Sequence, residues 1–283
     1  MDAVTTLIVN ADDFGMSHAI NAGIVEAHRG GIVTAASWLA AGDAAAAAAE
    51  QARACPDLDV GLHLALSGVR PSGDPAPFAG ALDAEGRWPS GFGPLLRWLR
   101  RRRDAPAVVR AEWRAQLDRF GRVWGRPPTH LDSHQHLALL PGLQGVLIEL
   151  ACEAGVPAVR VPEEVGQRSD WRGPGAWHRP HETLVLTALA RALRRRARGA
   201  GLAAPRSFAG FRQSGRLDEA TLLALLPRLG ARGGTVELMT HPGALDEPGG
   251  YRRRAERDAL MAPSVRRALD ASGLALGRFS DLS

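Results

Sequence analysis

The stretch Thr5-Thr6-Leu7-Ile8-Val9-Asn10-Ala11-Asp12-Asp13-Phe14-Gly15 decides how the chain is read. Its apolar run from Val4 to Val9 has the composition of a β-strand, predicted over Thr5–Asn10. Two adjacent carboxylates follow directly, and beyond Phe14-Gly15 a helix begins. Two like charges side by side repel, and the second ionises only beside a compensating cation. The natural compensator is a metal ion, which would turn one Asp into a ligand and leave the other free for proton chemistry.

Outward from this stretch, strands and helices alternate. Further strands are predicted over Ile32–Leu39, Leu58–Leu64, Thr129–Ser133 and Ala158–Val161, near 206–211, over 235–240 and briefly at 274–279. Ser17 is the expected N-cap of a helix that Gly30-Gly31 ends, and Asp43 the expected cap of an Ala-rich helix through Arg53. Later helices are predicted over 94–103, 106–124, Pro141–Ala154, 182–198, 218–229 and 254–272. The Gly- and Pro-rich stretches 68–94 and 163–180 read as long insertions of the kind that form lids or binding loops. Roughly seven or eight β-then-α units predict a parallel sheet, as a distorted (β/α) barrel of TIM-like type, with a doubly wound open sheet as runner-up. No linker divides the chain, so residues 1–283 are expected to form a single domain. No G-x-G-x-x-G follows the first strand, which leaves a dinucleotide site unsupported.

Composition narrows the class. Hydrophobic residues make up 45% of the chain, enough for a sizeable core. All basic residues are Arg, and the net charge of +5 is too diffuse to argue for nucleic acid. Cys55 and Cys152 lie far apart and read as buried free thiols of a reducing compartment. No secretory signal or membrane-length apolar run is visible, and a cytoplasmic location is expected.

The residues able to do chemistry fall at strand ends: Asp12 and Asp13; His63 in Gly61-Leu62-His63-Leu64; His130, Asp132, His134 and His136 in one short segment; Arg160; and His241 in Met239-Thr240-His241-Pro242-Gly243. A barrel brings C-terminal strand ends to one face, where catalytic groups gather. Asp132, His134 and His136 share a side if that segment stays extended. One Asp and two His, drawn from Asp13, His63 and the 134/136 pair, make a metal triad with open positions. Asp12 is then a general base beside the metal and His241 a general acid opposite it. Each residue alone has a plainer reading, such as a core histidine, a helix-capping Asp pair or a turn-ordering His. Their joint placement at strand ends favours one shared site.

These motifs, with Thr129-His130-Leu131-Asp132-Ser133-His134-Gln135-His136 and Val159-Arg160-Val161-Pro162, resemble the YdjC/ChbG/HpnK family of carbohydrate deacetylases, in family order over nearly the whole chain. The resemblance implies a NodB-like distorted barrel and a metal-dependent hydrolase that removes acetyl from an N-acetylated sugar with one divalent ion, Mg or Zn. It implies Asp12 as base, Asp13, His63 and His134 as metal ligands, His241 as general acid and Arg160 as the residue orienting the base. A further histidine common in the family is Ala138 here, and His136 is left as a candidate behind the ligands. One branch of the family acts on chitooligosaccharides and another on N-acetylglucosaminyl hopanoid lipids. Ser133 and Gln135 lean toward the oligosaccharide branch.

Trp88, Trp171 and Trp177 are candidates to stack on sugar rings. The Phe92–Arg103 segment, apolar and Arg-rich, leaves room for peripheral membrane contact, against a plainer reading as a solvated helix. Arg194–Arg198 and Arg252–Arg254 read as solvated too, and a homodimer is compatible. Two rival functions are a metal-dependent phosphoesterase, which wants more basic residues near the metal than Arg160, and a non-catalytic sugar-binding barrel.

Overall fold

A computed structural model of the chain describes residues 4–164, 180–247 and 250–282. Its strands are β1 (Thr5–Phe14), β2 (Ala35–Trp38), β3 (Asp59–Leu64), β4 (His130–Ser133), β5 (Ala158–Val159), β6 (Ser207–Ala209), β7 (Thr235–Thr240) and β8 (Leu274–Leu276). They form one sheet in the order β5-β4-β3-β2-β1-β7-β6, with every pairing parallel. β8 joins the start of β1, pairing Thr5–Leu7, while β2 takes its later half from Asn10. Between the outer strands lies an isolated parallel bridge, Glu164 to Phe208. The barrel is therefore distorted, with its weak seam between β5 and β6.

The helices are α1 (His18–Arg29), α2 (Ala45–Arg53), α3 (Phe92–Arg101), α4 (Ala105–Trp124), α5 (Leu143–Glu153), α6 (Pro180–Gly199), α7 (Glu219–Gly230), α8 (Arg253–Met261) and α9 (Pro263–Ala271). Period-2 alternation divides each strand between two layers. Leu7, Val9, Ala36, Val60, Leu62, Leu131, Val236 and Leu238 belong to the main core that the helices cover. The opposite parity faces the barrel interior. At its floor Ile8, Ala35, Ala158 and Phe279 form a small separate cluster. Above that floor the same parity presents Asn10 and Asp12, Ser37, His63, His130 and Asp132, Arg160, and Glu237, all buried. An interior lined by so many polar groups at its upper end holds a site.

Several elements differ from the sequence reading. β1 runs on through both aspartates, because Asp12 and Asp13 sit in a register irregularity between Ala11 and Phe14. Ser17 does cap α1, accepting from the Ile20 N–H at 3.2 Å. Asp43 does not cap α2, whose N-cap is Ala44; its carboxylate instead takes both bonds from Arg87, at 2.9 and 2.8 Å. The helix expected over 254–272 is two helices, since Pro263 cannot continue α8 and instead opens α9. Strand β4 stops at Ser133 and the chain turns into a 3-10 helix, His134–Leu139, so the extended spacing of Asp132, His134 and His136 is not kept.

Trp88 is not free to meet a sugar. It is 2% exposed and packs at 4.8 Å from Phe78 and 5.3 Å from Trp98. Trp171 and Trp177 lie outside the described residues. In α3, Leu95 is buried and Trp98 is spent on this same aromatic cluster, so the apolar side of the helix faces its own insertion. Cys55 is buried as expected, whereas Cys152 is exposed; both are free. Among the described residues no helix is long and apolar enough to cross a membrane.

Candidate active site

Successive side chains of a strand point to opposite faces, so Asp12 and Asp13 cannot both reach one pocket from a regular strand. The chain solves this at Asp13, whose φ of 68° lies in the left-handed region. The resulting bulge turns Asp13 back toward the barrel mouth beside Asp12. Gly15, at φ 108°, completes the exit. A Cβ there would lie 3.1 Å from the Leu39 carbonyl, and the Gly15 N–H donates to Asn21 Oδ1 at 2.7 Å.

The two aspartates have separate guanidinium partners. Arg160 approaches Asp12 fork-on, Nη1 to Oδ2 at 2.7 Å and Nη2 to Oδ1 at 2.6 Å. Asn10 adds a bond to Asp12 Oδ1 at 2.8 Å. Arg253, from the first turn of α8, donates to Asp13 Oδ2 at 2.7 Å. Burial opposes ionisation of both carboxyls, but Arg160 and then His63 outweigh it at Asp12, and Arg253 and then His134 do so strongly at Asp13. The compensating cations that the sequence reading sought are thus two arginines in the first instance.

Asp13 keeps its second oxygen open. Oδ1 is buried with no hydrogen-bond partner, and so is His63 Nε2. They stand 3.7 Å apart, with His134 Nδ1 3.1 Å from the same Oδ1. Asp13, His63 and His134 present ligand atoms all within 4.8 Å of one another. One carboxylate and two imidazoles, with two orphaned buried atoms facing each other, fit a divalent cation with positions open on the pocket side. A second cluster, Asp12–His63–Asp132, is as compact. It suits a metal less well, because the carboxylates of Asp12 and Asp132 are already committed to Arg160.

Asp132 serves His63 instead. Its Oδ1 lies 2.8 Å from His63 Nδ1, which turns Nε2 toward Asp13, the arrangement by which carboxylates orient metal-binding histidines. Burial lowers the proton affinity of His63, but Asp132 and then Asp12 reverse this and raise it to about 9. Ser37 donates to Asp132 Oδ2 at 2.8 Å and lies 3.1 Å from His130 Nε2. Arg160 reaches Asp132 at 2.7 Å and Glu237 at 2.7 Å as well, so one guanidinium serves three carboxyls. Burial pushes Glu237 up to about 7.

Across the pocket, His241 follows β7. Its N–H donates to Glu256 of α8 at 2.7 Å, its ring meets Tyr251 edge-on at 5.0 Å, and its Nδ1 is unpartnered. Burial lowers His241 to about 4, so the resting imidazole is neutral. His136 does not join the ligand cluster; its ring packs against Phe208 at 5.7 Å and Phe211 at 5.5 Å. Gln135 and His136 have φ of 55° and 54°, and with Asp13 they are the non-glycine residues at positive φ among those described. All three line one pocket of about 900 Å³ with Asp12, His63, His134 and His241. Backbone held in this region costs about 1–3 kcal/mol per residue, and its confinement to one pocket marks a functional site.

The six residues to which the family resemblance gave roles, Asp12, Asp13, His63, His134, Arg160 and His241, therefore meet at the barrel mouth. Asp132 was named there without a role, and Arg253 was missed inside a run of three arginines. Its signal was helical spacing. Arg253, Glu256, Ala259 and Leu260 form the buried stripe of α8, so at a 3.6-residue period Arg253 falls on the apolar side.

The fold and site are those of a distorted (β/α) barrel with a buried carboxylate–imidazole cluster at its mouth. The chain belongs to the YdjC-like protein family, whose family model matches residues 6–271. It is 31% identical to a chitooligosaccharide deacetylase of Serratia marcescens over 98% of both chains. It is 36% identical to a carbohydrate deacetylase of Mus musculus, covering 98% of this chain and 94% of that one. A crystal structure from Enterococcus faecalis V583, described as that of a candidate cellobiose-phosphate cleavage protein, superposes with a TM-score of 0.75 at 25% identity over 98% of each chain.

Proposed function

We propose that the protein is a metal-dependent carbohydrate deacetylase that hydrolyses the acetamide of an N-acetylglucosamine-containing oligosaccharide of the chitooligosaccharide kind. The observation that carries the reading is the pair of orphaned buried atoms, Asp13 Oδ1 and His63 Nε2, facing each other beside the Arg160-held Asp12. The names of the relatives point the same way.

Asp13, His63 and His134 would hold the ion, Mg or Zn. When bound, it supplies Lewis acidity toward the acetamide carbonyl and toward a water molecule. Asp12 is the base that takes the proton from the attacking water, with Arg160 fixing both its oxygens. Bound in this way Asp12 is a weak base by itself, so the water must be acidified for the transfer to proceed. His241, neutral at rest, becomes the acid for the departing amine by taking up a proton, in net terms the one Asp12 removes from the water, so that base and acid both return to their starting forms. Its unpartnered Nδ1 is available for that exchange. Acetate and the free amine leave.

The test is acetate release from N-acetylglucosamine oligomers by the metal-stripped protein, with and without Mg²⁺ or Zn²⁺. Metal-dependent acetate is the expected result. Phosphate release from a phosphoester without acetate from any N-acetyl sugar would overturn the reading. The phosphoesterase alternative is disfavoured because both buried arginines of the site are already committed to carboxylates. A second substrate, an N-acetylglucosaminyl lipid of the hopanoid type, is favoured by one observation. Leu139, Leu140, Val185, Leu186 and Leu189 make one wall of the pocket apolar. Turnover of a glycolipid in preference to soluble oligomers would select it.

A further inference from the structure

We infer that Arg253 is a positioning residue that leaves Asp13 a single oxygen to offer a metal ion and aims that oxygen at His63 and His134. The inference rests on the proposed metal site. Arg160 takes both oxygens of Asp12, whereas Arg253 takes only Oδ2 of Asp13, at 2.7 Å. That difference is what makes Asp13 the ligand and withholds Asp12. The left-handed bulge brings Asp13 to the barrel mouth but does not decide which of its carboxylate oxygens faces His63 and His134. Arg253 is anchored well enough to do so. It is 2% exposed, its Nε donates to Glu247 Oε1 at 2.6 Å, its Nη1 lies 3.5 Å from the His241 carbonyl, and its guanidinium sits 5.1 Å from the Tyr251 ring centre. Asp13, His241, Glu247 and Tyr251 all line the pocket, so one planar group ties the metal corner to the opposite wall. A lysine would keep the charge but not this fork, because an ammonium is a point donor.

The experiment titrates the metal-stripped protein with Zn²⁺ by calorimetry and follows thermal unfolding in parallel. Groups that orient metal ligands typically contribute about 10–100-fold to affinity, and Arg253→Gln is expected to weaken Zn²⁺ binding by that factor. Arg253→Lys is expected to fall between Gln and wild type. Leu260→Ala, on the same buried stripe of α8 but away from Asp13, is expected to lower the melting temperature and leave the Zn²⁺ affinity unchanged. Equal or tighter Zn²⁺ binding by Arg253→Gln would overturn the inference, and so would an equal loss in Leu260→Ala. If Arg253→Gln does not fold, Glu247→Ala removes the acceptor of Arg253 Nε and is expected to give a smaller loss of the same sign; an unchanged affinity there overturns it too. A wild-type protein that binds no divalent ion would instead end the proposed function itself.

Discussion

Neighbouring aspartates can do different work only if their surroundings differ, and here the difference is whether one guanidinium takes both carboxylate oxygens or only one. Asp12 is saturated by Arg160 and Asn10, while Asp13 keeps an oxygen free. Asp12→Asn is therefore expected to retain Zn²⁺ affinity while acetate release falls about 10²–10⁴-fold, the usual worth of a general base. Loss of metal binding in that variant would reverse the two roles. A second residue-scale prediction concerns the strained pair after His134. Glycine relieves the left-handed penalty, so Gln135→Gly is expected to stabilise the fold by up to about 1 kcal/mol in urea unfolding while lowering kcat/KM. Unchanged turnover would show that Gln135 is a bystander in the pocket.

At the scale of elements, what matters is which parity of each strand faces inward. Gly61 has no side chain because His130 of the neighbouring strand occupies its place; a Cβ at Gly61 would lie 2.3 Å from the imidazole. His130 in turn stacks on Phe279 at 3.7 Å and cannot retreat. Gly61→Ala is expected to cost about 1–3 kcal/mol or more, measured by urea denaturation, as overpacked cores do. A neutral result would mean that the barrel floor is softer than its packing implies. The alternation of strands and helices was legible from the sequence because each buried strand is a short apolar run and each helix carries a stripe. That Asp12, Asp13, His63, the 134/136 pair, Arg160 and His241 would converge was legible because ionisable residues closing apolar strands have few other reasons to be there; the choice of His134 over His136 came from the family resemblance alone. What the sequence withheld were features made by two distant segments. The bulge at Asp13 exists to bring adjacent side chains to one face, and nothing local requires it. Arg253 looked solvated beside Arg252 and Arg254 because its partner Asp13 is at the other end of the chain. Trp88 looked available because the insertion that buries it showed little periodicity.

Over the whole molecule, buried ionisable groups set how the metal-free protein responds to pH. Burial raises Glu164 and Glu237 to about 7 and Glu256 to about 8, and neighbouring carboxylates raise His63 to about 9 against its burial. Each of these holds its proton more tightly when folded. Their stabilisation is complete below the unfolded values, about 4.5 for Glu and 6.5 for His, and is lost as pH rises to the folded ones. His130 and His136, lowered by burial to about 3, and His241, to about 4, act in the opposite sense and weaken the fold as pH falls below about 6.5. The melting temperature of the metal-stripped protein is expected to be highest between about pH 4.5 and 6.5 and to decline steadily toward pH 9. A flat profile from pH 6 to 9 would contradict these assignments. The pairing of β1 has a consequence of another kind. Asp12 and Asp13 are synthesised well ahead of two of their strand's neighbours, β7 and β8, which extend out to Leu276. β1 must wait for the later strands β7 and β8 before its pairing is complete, with an apolar edge and two unsheltered carboxylates in the meantime. Synthesis of this barrel is thus a race between the arrival of β8 and the capture of β1 by another chain.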